Sequence, residues 1–185
     1  DSTTISVVQP NVPCYYDERM AAGMGDPTDD VRSLVGSTPA TSSFVIMPES
    51  ALAYLPYTNS IDEDELEYIA PIISHIHGGK NLDTKLITGA STTRYYGDKP
   101  ATNTAHYHRS YGWYDHYNSA LLCNASGEVE DIYHKGKLVI GVEAVPLREI
   151  FDLFEVDLGG ISGQLGWGTE YTLFRNKDVV IGPSI

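Results

Sequence analysis

The sequence predicts an α/β fold built on mixed β-sheets, and three observations carry that reading. Short β-branched or apolar runs recur between Gly, Pro, Asn and Asp punctuation. Other segments space their apolar residues by three and four. The two kinds alternate along 185 residues, a length that matches one domain with a sizeable core.

Taken in order, the first run is Thr4 to Gln9 (TISVVQ), closed by Pro10, Asn11 and Pro13, which reads as a buried strand feeding a loop. Residues 14–43 are rich in Gly, Asp, Pro, Ser and Thr and read as connection, with one short helix from Asp29 to Val35 after Thr28. Ser43-Phe-Val-Ile-Met47 is a second buried strand; Pro48 ends it and Glu49 stands at its exit. From Ile61 onward Leu66, Ile69, Ala70, Ile73 and Ile76 share a helical face, with Asp62 to Glu65 at its positive end and Gly78-Gly79 as its stop. Pro71 lies inside that pattern and, lacking an N–H, is expected to kink or break it.

Downstream, Lys85–Ala90 (KLITGA), His116–Asn124 (HYNSALLCN) and Val129–Tyr133 read as strands, and Ala125-Ser-Gly127 is a hairpin turn between the last two. The stretch 95–117, rich in Tyr and His, reads as a long loop. After Pro146 a helical face returns at Leu147, Ile150, Phe151 and Phe154 and stops at Gly159-Gly160. Tyr171–Phe174 and Val179–Ile185 are strands again. The final run VVIGPSI has no polar cap behind it, so it reads as a strand that continues.

Composition narrows the function. With 25 acidic against 12 basic residues the formal net charge is −13, which argues against nucleic acid and against docking on anionic headgroups. No window approaches the ~18 apolar residues of a membrane span, and the N-terminal Asp-Ser-Thr-Thr has no signal-peptide character. Any membrane link is therefore expected outside these residues. Cys14 and Cys123 match no metal framework and read as unpaired thiols, with a single bridge as the alternative. His75-Ile-His77 and His106-Tyr-His108 lack the Cys or carboxylate companions that would fix a metal geometry. Asn124-Ala-Ser126 fits a glycosylation acceptor but sits in a tight turn. The five glycines of 159–168 lack a Gly-Lys-Ser/Thr ending and read as a site rim rather than a phosphate cradle. No metal and no cofactor is expected.

Two positions offer chemistry. Glu49 follows a strand that should be buried, where desolvation would raise its pKa and make it a proton acceptor near neutrality; a solvated or capping carboxylate is the plainer alternative. Lys135 leads into the apolar stretch of YHKGKLVIGVEAVP (133–146), which carries Glu143. A buried ammonium wants an acidic neighbour and can hold an oxyanion during acyl transfer; two surface lysines beside a strand is the alternative.

Five segments taken together, VVQPNVP (7–13), MPESAL (47–52), YHKGKLVIGVEAVPLR (133–148), SGQLGWG (162–168) and VVIGPSI (179–185), resemble successive landmarks of apolipoprotein N-acyltransferase, a membrane-anchored branch of the nitrilase, or carbon–nitrogen hydrolase, superfamily. The resemblance implies a nitrilase-like αββα sandwich formed by residues 1–185 as a single domain, incomplete at its C-terminus. It implies Glu49 as general base, Lys135 as the oxyanion-stabilising residue and Glu143 as a glutamate that holds the Lys side. The family's nucleophilic Cys falls immediately after the strand that here ends at Ile185, and neither Cys14 nor Cys123 stands in its place. Met47 departs from the Trp that the family often has before Pro-Glu, and Val-Ile-Gly-Val-Glu from its commoner Val-Pro-Phe-Gly-Glu.

The implied partners are a phospholipid acyl donor, a diacylglyceryl lipoprotein acceptor, and a membrane reached through transmembrane segments absent from these residues. The implied place is the periplasmic face of a bacterial inner membrane. Trp113, Trp167 and the aromatic side chains of 95–117 would line an acyl-chain entrance. A soluble nitrilase-type amidase is the alternative enzyme, and a non-catalytic periplasmic binding or scaffold module the alternative outside enzymes.

Overall fold

Two long antiparallel strands, β4 (Lys85–Gly97) and β6 (Gly112–Cys123), form the axis of the molecule. The computed structural model describes residues 3–11, 27–49, 51–52, 60–79, 81–139, 143 and 164–184. Ahead of the axis lie β1 (Thr4–Val7), α1 (Pro27–Ser37), β2 (Ser42–Ile46), β3 (Ile61–Asp62), a 3-10 turn (Leu66–Ile69) and α2 (Ala70–His77). Between and after its strands come β5 (His106–His108), β7 (Val129–His134), β8 (Phe174–Asn176) and β9 (Val179–Ile181).

Seven strands make one mixed sheet in the order β1-β2-β4-β6-β5, with β3 also on β4 and β7 also on β6. The first three neighbours are parallel; β6 pairs antiparallel with β4, β5 and β7. The fold class is therefore α/β with a mixed sheet, as the alternating segments imply. Because side chains alternate across a strand, the axis sorts its residues onto two faces. Leu86, Ala90, Leu121 and Cys123 pack with Val31 and Val35 of α1 and Ile73 and Ile76 of α2. Ile87, Ala120 and Leu122 pack on the other face with Phe44 and with Phe174, Val179 and Ile181 of the β8–β9 hairpin. Helices thus cover one face and a two-stranded sheet covers the other.

Several local expectations hold. Pro71 does break the helical pattern, standing at the first turn of α2, where a missing N–H costs nothing. Gly78, at φ 65°, caps α2 in the left-handed region. The hairpin turn at Ala125–Gly127 is held by Asn124, whose Oδ1 accepts from the Ser126 and Glu128 amides and the Ser126 hydroxyl.

Others are corrected. β1 is an edge strand, so Ile5 is 45% and Val7 74% exposed rather than buried. The stretch 95–117 is loop only in part: β4 runs to Gly97, β6 starts at Gly112 and β5 pairs with β6, so that 98–105 and 109–111 alone lie outside strand. Aromatic side chains lock that extension across strands, with Tyr95 5.2 Å from Tyr111 edge-on and His108 stacked 4.1 Å from Tyr111. Tyr171–Leu173 stay outside strand, and β8 begins at Phe174. The helix expected after Pro146 and Cys14 lie outside the described residues. Cys123 is free and fully buried. No helix among the described residues is long and apolar enough to cross a membrane.

Candidate active site

Lys135 follows β7 and continues its ladder, its N–H donating to the Asn118 carbonyl at 2.8 Å. Register therefore places its side chain beside that of Asn118, on the face opposite the helices. β2 delivers Glu49 to the same place: the Met47 amide donates to Ile87 and the Gly89 amide to Pro48, so Pro48 carries the chain over the end of the β2–β4 ladder. Glu143 arrives from beyond Lys135, its amide bonded to the Val139 carbonyl at 2.9 Å and its carboxylate taking the Val139 N–H at 2.7 Å.

The three side chains meet. Lys135 Nζ lies 2.9 Å from Glu143 Oε1 and 3.5 Å from Glu49 Oε1. Asn118 Nδ2 donates to both carboxylates, at 3.1 Å to Glu143. The residues brought together span 86 positions of sequence between Glu49 and Lys135.

Burial assigns them different characters. The Lys135 side chain is 7% exposed and that of Glu143 13%. Burial opposes the Lys135 charge, but the hydrogen bond to Glu143 and the charges of Glu49 and Glu143 outweigh it and hold the ammonium above the ordinary lysine range. Burial likewise pushes Glu143 up, but the Val139 N–H, Lys135 and Asn118 together bring it below the usual carboxylate range. Lys135 and Glu143 are thus a fixed ion pair. Glu49 corrects the sequence expectation: its side chain is 48% exposed, not desolvated, and it makes the longer contact to Lys135. Its Oε1 accepts from Asn118 and Lys135 while the side chain remains open to solvent.

Beside Glu49 opens a cavity of about 400 Å³ walled by Met47, Pro48, Gly89, Ala120 and the segment Ile181–Ser184. The last described residues of the chain therefore border the same space as Glu49.

Sequence reasoning missed Asn118. Its one signal was an amide inside the apolar run of HYNSALLCN; only 8% exposed in a central strand, it satisfies Nδ2 on the two carboxylates, while among the described residues its Oδ1 has no partner. The histidine pairs separate. His75 meets Asp29 at 3.0 Å, His77 is buried against the Thr84 carbonyl, and His106 bonds the Gln164 carbonyl at 2.8 Å. Among the described residues no three His, Cys, Asp or Glu side chains group as metal ligands.

No family model and no curated protein matches the chain. Among solved structures, similar chains include an N-terminal amidase with an Asn-Glu-Ala peptide, at TM-score 0.40 and 17% identity over 73% of this chain and 28% of that one. A mutant amidase from Nesterenkonia sp. AN1, described as carrying acrylamide added at its active-site cysteine, gives TM-score 0.46 and 11% identity over 94% of this chain and 53% of that one. The NitN amidase gives 0.45 at 11% identity, with the same coverage. This chain thus spans between about a quarter and about half the length of those proteins.

Proposed function

We propose that Glu49, Lys135 and Glu143 form the acid–base and oxyanion part of a nitrilase-type site, and that the chain is the extramembrane domain of an apolipoprotein N-acyltransferase. The observation that carries this reading is the single cluster, Lys135 Nζ at 2.9 and 3.5 Å from two carboxylates, beside the cavity walled by Ile181–Ser184. The motif order VVQPNVP, MPESAL, YHKGKLVIGVEAVPLR, SGQLGWG, VVIGPSI supports the finer assignment. The nucleophilic thiol would be supplied by a Cys following Ile185.

In this mechanism the Glu49 carboxylate takes the thiol proton and the thiolate adds to an ester carbonyl of a phospholipid. The Lys135 ammonium, kept charged by Glu143, faces the developing oxyanion. Collapse breaks the ester C–O bond; the leaving alkoxide takes the proton from Glu49, and a thioester and a lysophospholipid result. The α-amine of a diacylglyceryl-cysteine lipoprotein then adds to the thioester, gives its proton to Glu49 and expels the thiolate, leaving an amide. A nitrilase-type amidase would use the same groups with water as the acceptor and an amide as the donor. We place the site at the periplasmic face of a bacterial inner membrane, held there by transmembrane segments beyond these residues.

The test extends the chain through the codons that follow Ile185 in its gene and offers a fluorescent phospholipid with and without a diacylglyceryl-cysteine peptide. Acyl transfer to the peptide amine is expected, with a thioester trapped when the peptide is omitted. Preferential hydrolysis of short amides would assign the amidase instead. A residue other than Cys after Ile185 would leave a non-catalytic binding or scaffold module.

A further inference from the structure

On the helix-covered face, 370 Å³ of open space lies among Arg94, Tyr96, Thr102, Tyr117, His134 and Trp167. It is separate from the Lys135 cluster: Tyr117 and Asn118 are adjacent on β6, and His134 adjoins Lys135, so each pair sends its side chains to opposite faces.

A buried carboxyl group stands behind the cavity wall. Asp115 is fully buried, and its Oδ2 accepts from the hydroxyls of Tyr96, at 2.9 Å, and Thr102. Among the described residues its Oδ1 has no hydrogen-bond partner and no Lys, Arg or His forms an ion pair with it. Arg94, the nearest candidate across the β4–β6 ladder, is committed to Glu63 through Nε at 2.8 Å and Nη2 at 2.7 Å. A buried carboxylate answered only by hydroxyls leaves charge to be compensated.

Proton bookkeeping then fixes the polarity of the wall. Tyr96 gives its hydroxyl proton to Asp115, so the 2.8 Å bond between the two phenols must run from Tyr117 to Tyr96. Thr102 also gives its proton to Asp115, so the 3.0 Å bond to Thr104 runs from Thr104 to Thr102. Tyr96 stays a neutral donor: burial, the bond to Tyr117 and the bond and charge of Asp115 all push its pKa far up. Every hydroxyl proton in the relay points inward, and the oxygens left toward the cavity are acceptors.

An aromatic wall completes it. In Gly166-Trp167-Gly168 the glycines permit an approach no other residue would: a Cβ at Gly166 would stand 2.4 Å from the Tyr117 ring, and one at Gly168 2.2 Å from the His134 carbonyl oxygen. That close seating holds Trp167, 45% exposed, at the cavity. Glu170 adds a further carboxylate to the rim.

We infer that this cavity binds an organic ammonium ion of headgroup size, its N–H or N–CH₃ groups facing the inward-polarised hydroxyls and its charge shared by Asp115 and the Trp167 face. Arg94 at the wall is paired with Glu63, so Glu170 at the rim and Asp115 behind the wall leave the balance negative, and with acceptor oxygens and an aromatic plane this selects a cation over an anion or a neutral polyol.

The chain carrying Trp113→Phe, with Trp167 as sole indole, is titrated with choline chloride and with ethanolamine hydrochloride while its fluorescence is followed. Saturable quenching on the order of 1–10 mM is expected for both, as one cation–aromatic contact with hydrogen bonds would give. Thr102→Val should weaken it about tenfold. Phosphatidylcholine vesicles at equal headgroup concentration separate the sources: quenching by vesicles alone assigns a lipid headgroup, quenching by free choline a soluble amine. No response to either, or an equal response to sodium chloride, glycerol or phosphatidylglycerol vesicles, overturns the inference. In the unaltered chain the same titrations, followed by NMR, should shift the Thr102 and Thr104 amides; unmoved amides would place the cation elsewhere and overturn the inference without any substitution.

Discussion

Lys135 Nζ stands 2.9 Å from Glu143 Oε1, and neither side chain exceeds 13% exposure. Glu143 also takes the Val139 N–H and an Asn118 N–H, so its charge is met on three sides. An ammonium held in this way is a poor base and a durable electrostatic anchor, while Glu49 beside it stays 48% exposed.

The pair predicts a stability profile with two limbs. Glu143 has a depressed pKa in the folded state, so its contribution is complete above its unfolded value, about 4.3, and is lost as pH falls through the folded value. Lys135 has a raised one, so its contribution is complete below about 10.4 and is lost as pH rises through the folded value. Glu143→Gln should therefore cost about 1–3 kcal/mol across the window between roughly pH 5 and 10. The difference from the unaltered chain should shrink as pH falls below about 4.3 and through the lower folded-state value, beneath which both carry a neutral side chain. Urea unfolding at several pH values measures it; a pH-independent difference would mean that the charge on Glu143 does not matter.

Glu63 makes a parallel case on the other face. Its carboxylate, 6% exposed, takes Thr92 Oγ1 at 2.7 Å, His134 Nε2 at 2.7 Å and the Arg94 guanidinium. Burial raises its pKa, but the His134 bond and charge, Thr92 and Arg94 outweigh that and lower it. Glu63→Ala strands an imidazole that is only 13% exposed and frees Arg94, which is 48% exposed and loses little. A loss of about 2 kcal/mol is expected in urea unfolding. Since His134 ends β7 and adjoins Lys135, the Lys135 Nζ proton signals should also shift in NMR spectra. Stability loss with those signals unmoved would separate the two faces.

How much of this was legible in the sequence depends on the range of the interaction that decides each feature. Pro71, Gly78 and Asn124 act within a turn, and each was placed by local chemistry. The strand cores of β2, β4 and β6 were visible because burial on both faces leaves an unbroken apolar run. The outer halves of β4 and β6 were not, since Gly97, Asp98 and Pro100 look like loop punctuation and the stabilising contact is an aromatic ladder between strands. Glu49, Lys135 and Glu143 were found through a motif resemblance; no periodicity links residues 86 apart. Asn118 and Glu63 had no such handle. Each is defined by partners on other strands, and an alternating pattern records only that a polar residue faces inward.

Gly168 ties the two faces together and supplies a sharper test. Its N–H donates to the Lys135 carbonyl at 3.0 Å, and an added Cβ would lie 2.2 Å from the His134 carbonyl oxygen. Backbone cannot yield as a flexible side chain can, so Gly168→Ala should cost about 3 kcal/mol. The neighbouring Thr169→Ala, exposed at the cavity rim, should cost under about 0.5 kcal/mol. Thermal unfolding of the two variants decides between backbone contact and a general intolerance of this segment; equal losses would discard the contact as the cause.

Cys123 yields the last prediction. It sits in the helix-side core with Leu86, Leu121 and Val129, fully buried, and burial together with the charge of Glu130 pushes its thiol up to about 12. Iodoacetamide needs both a thiolate and access, and the folded state denies both near neutral pH. In a Cys14→Ser chain, alkylation of Cys123 at pH 8 should therefore wait on opening of the β4–β6 core, and its rate should climb with urea in step with the loss of folded signal. Because a thiol beside the central ladder cannot be exposed by fraying of β1 or of the β8–β9 hairpin, labelling at a urea concentration where the far-ultraviolet signal is intact would place Cys123 in a locally mobile element and contradict its position in the core.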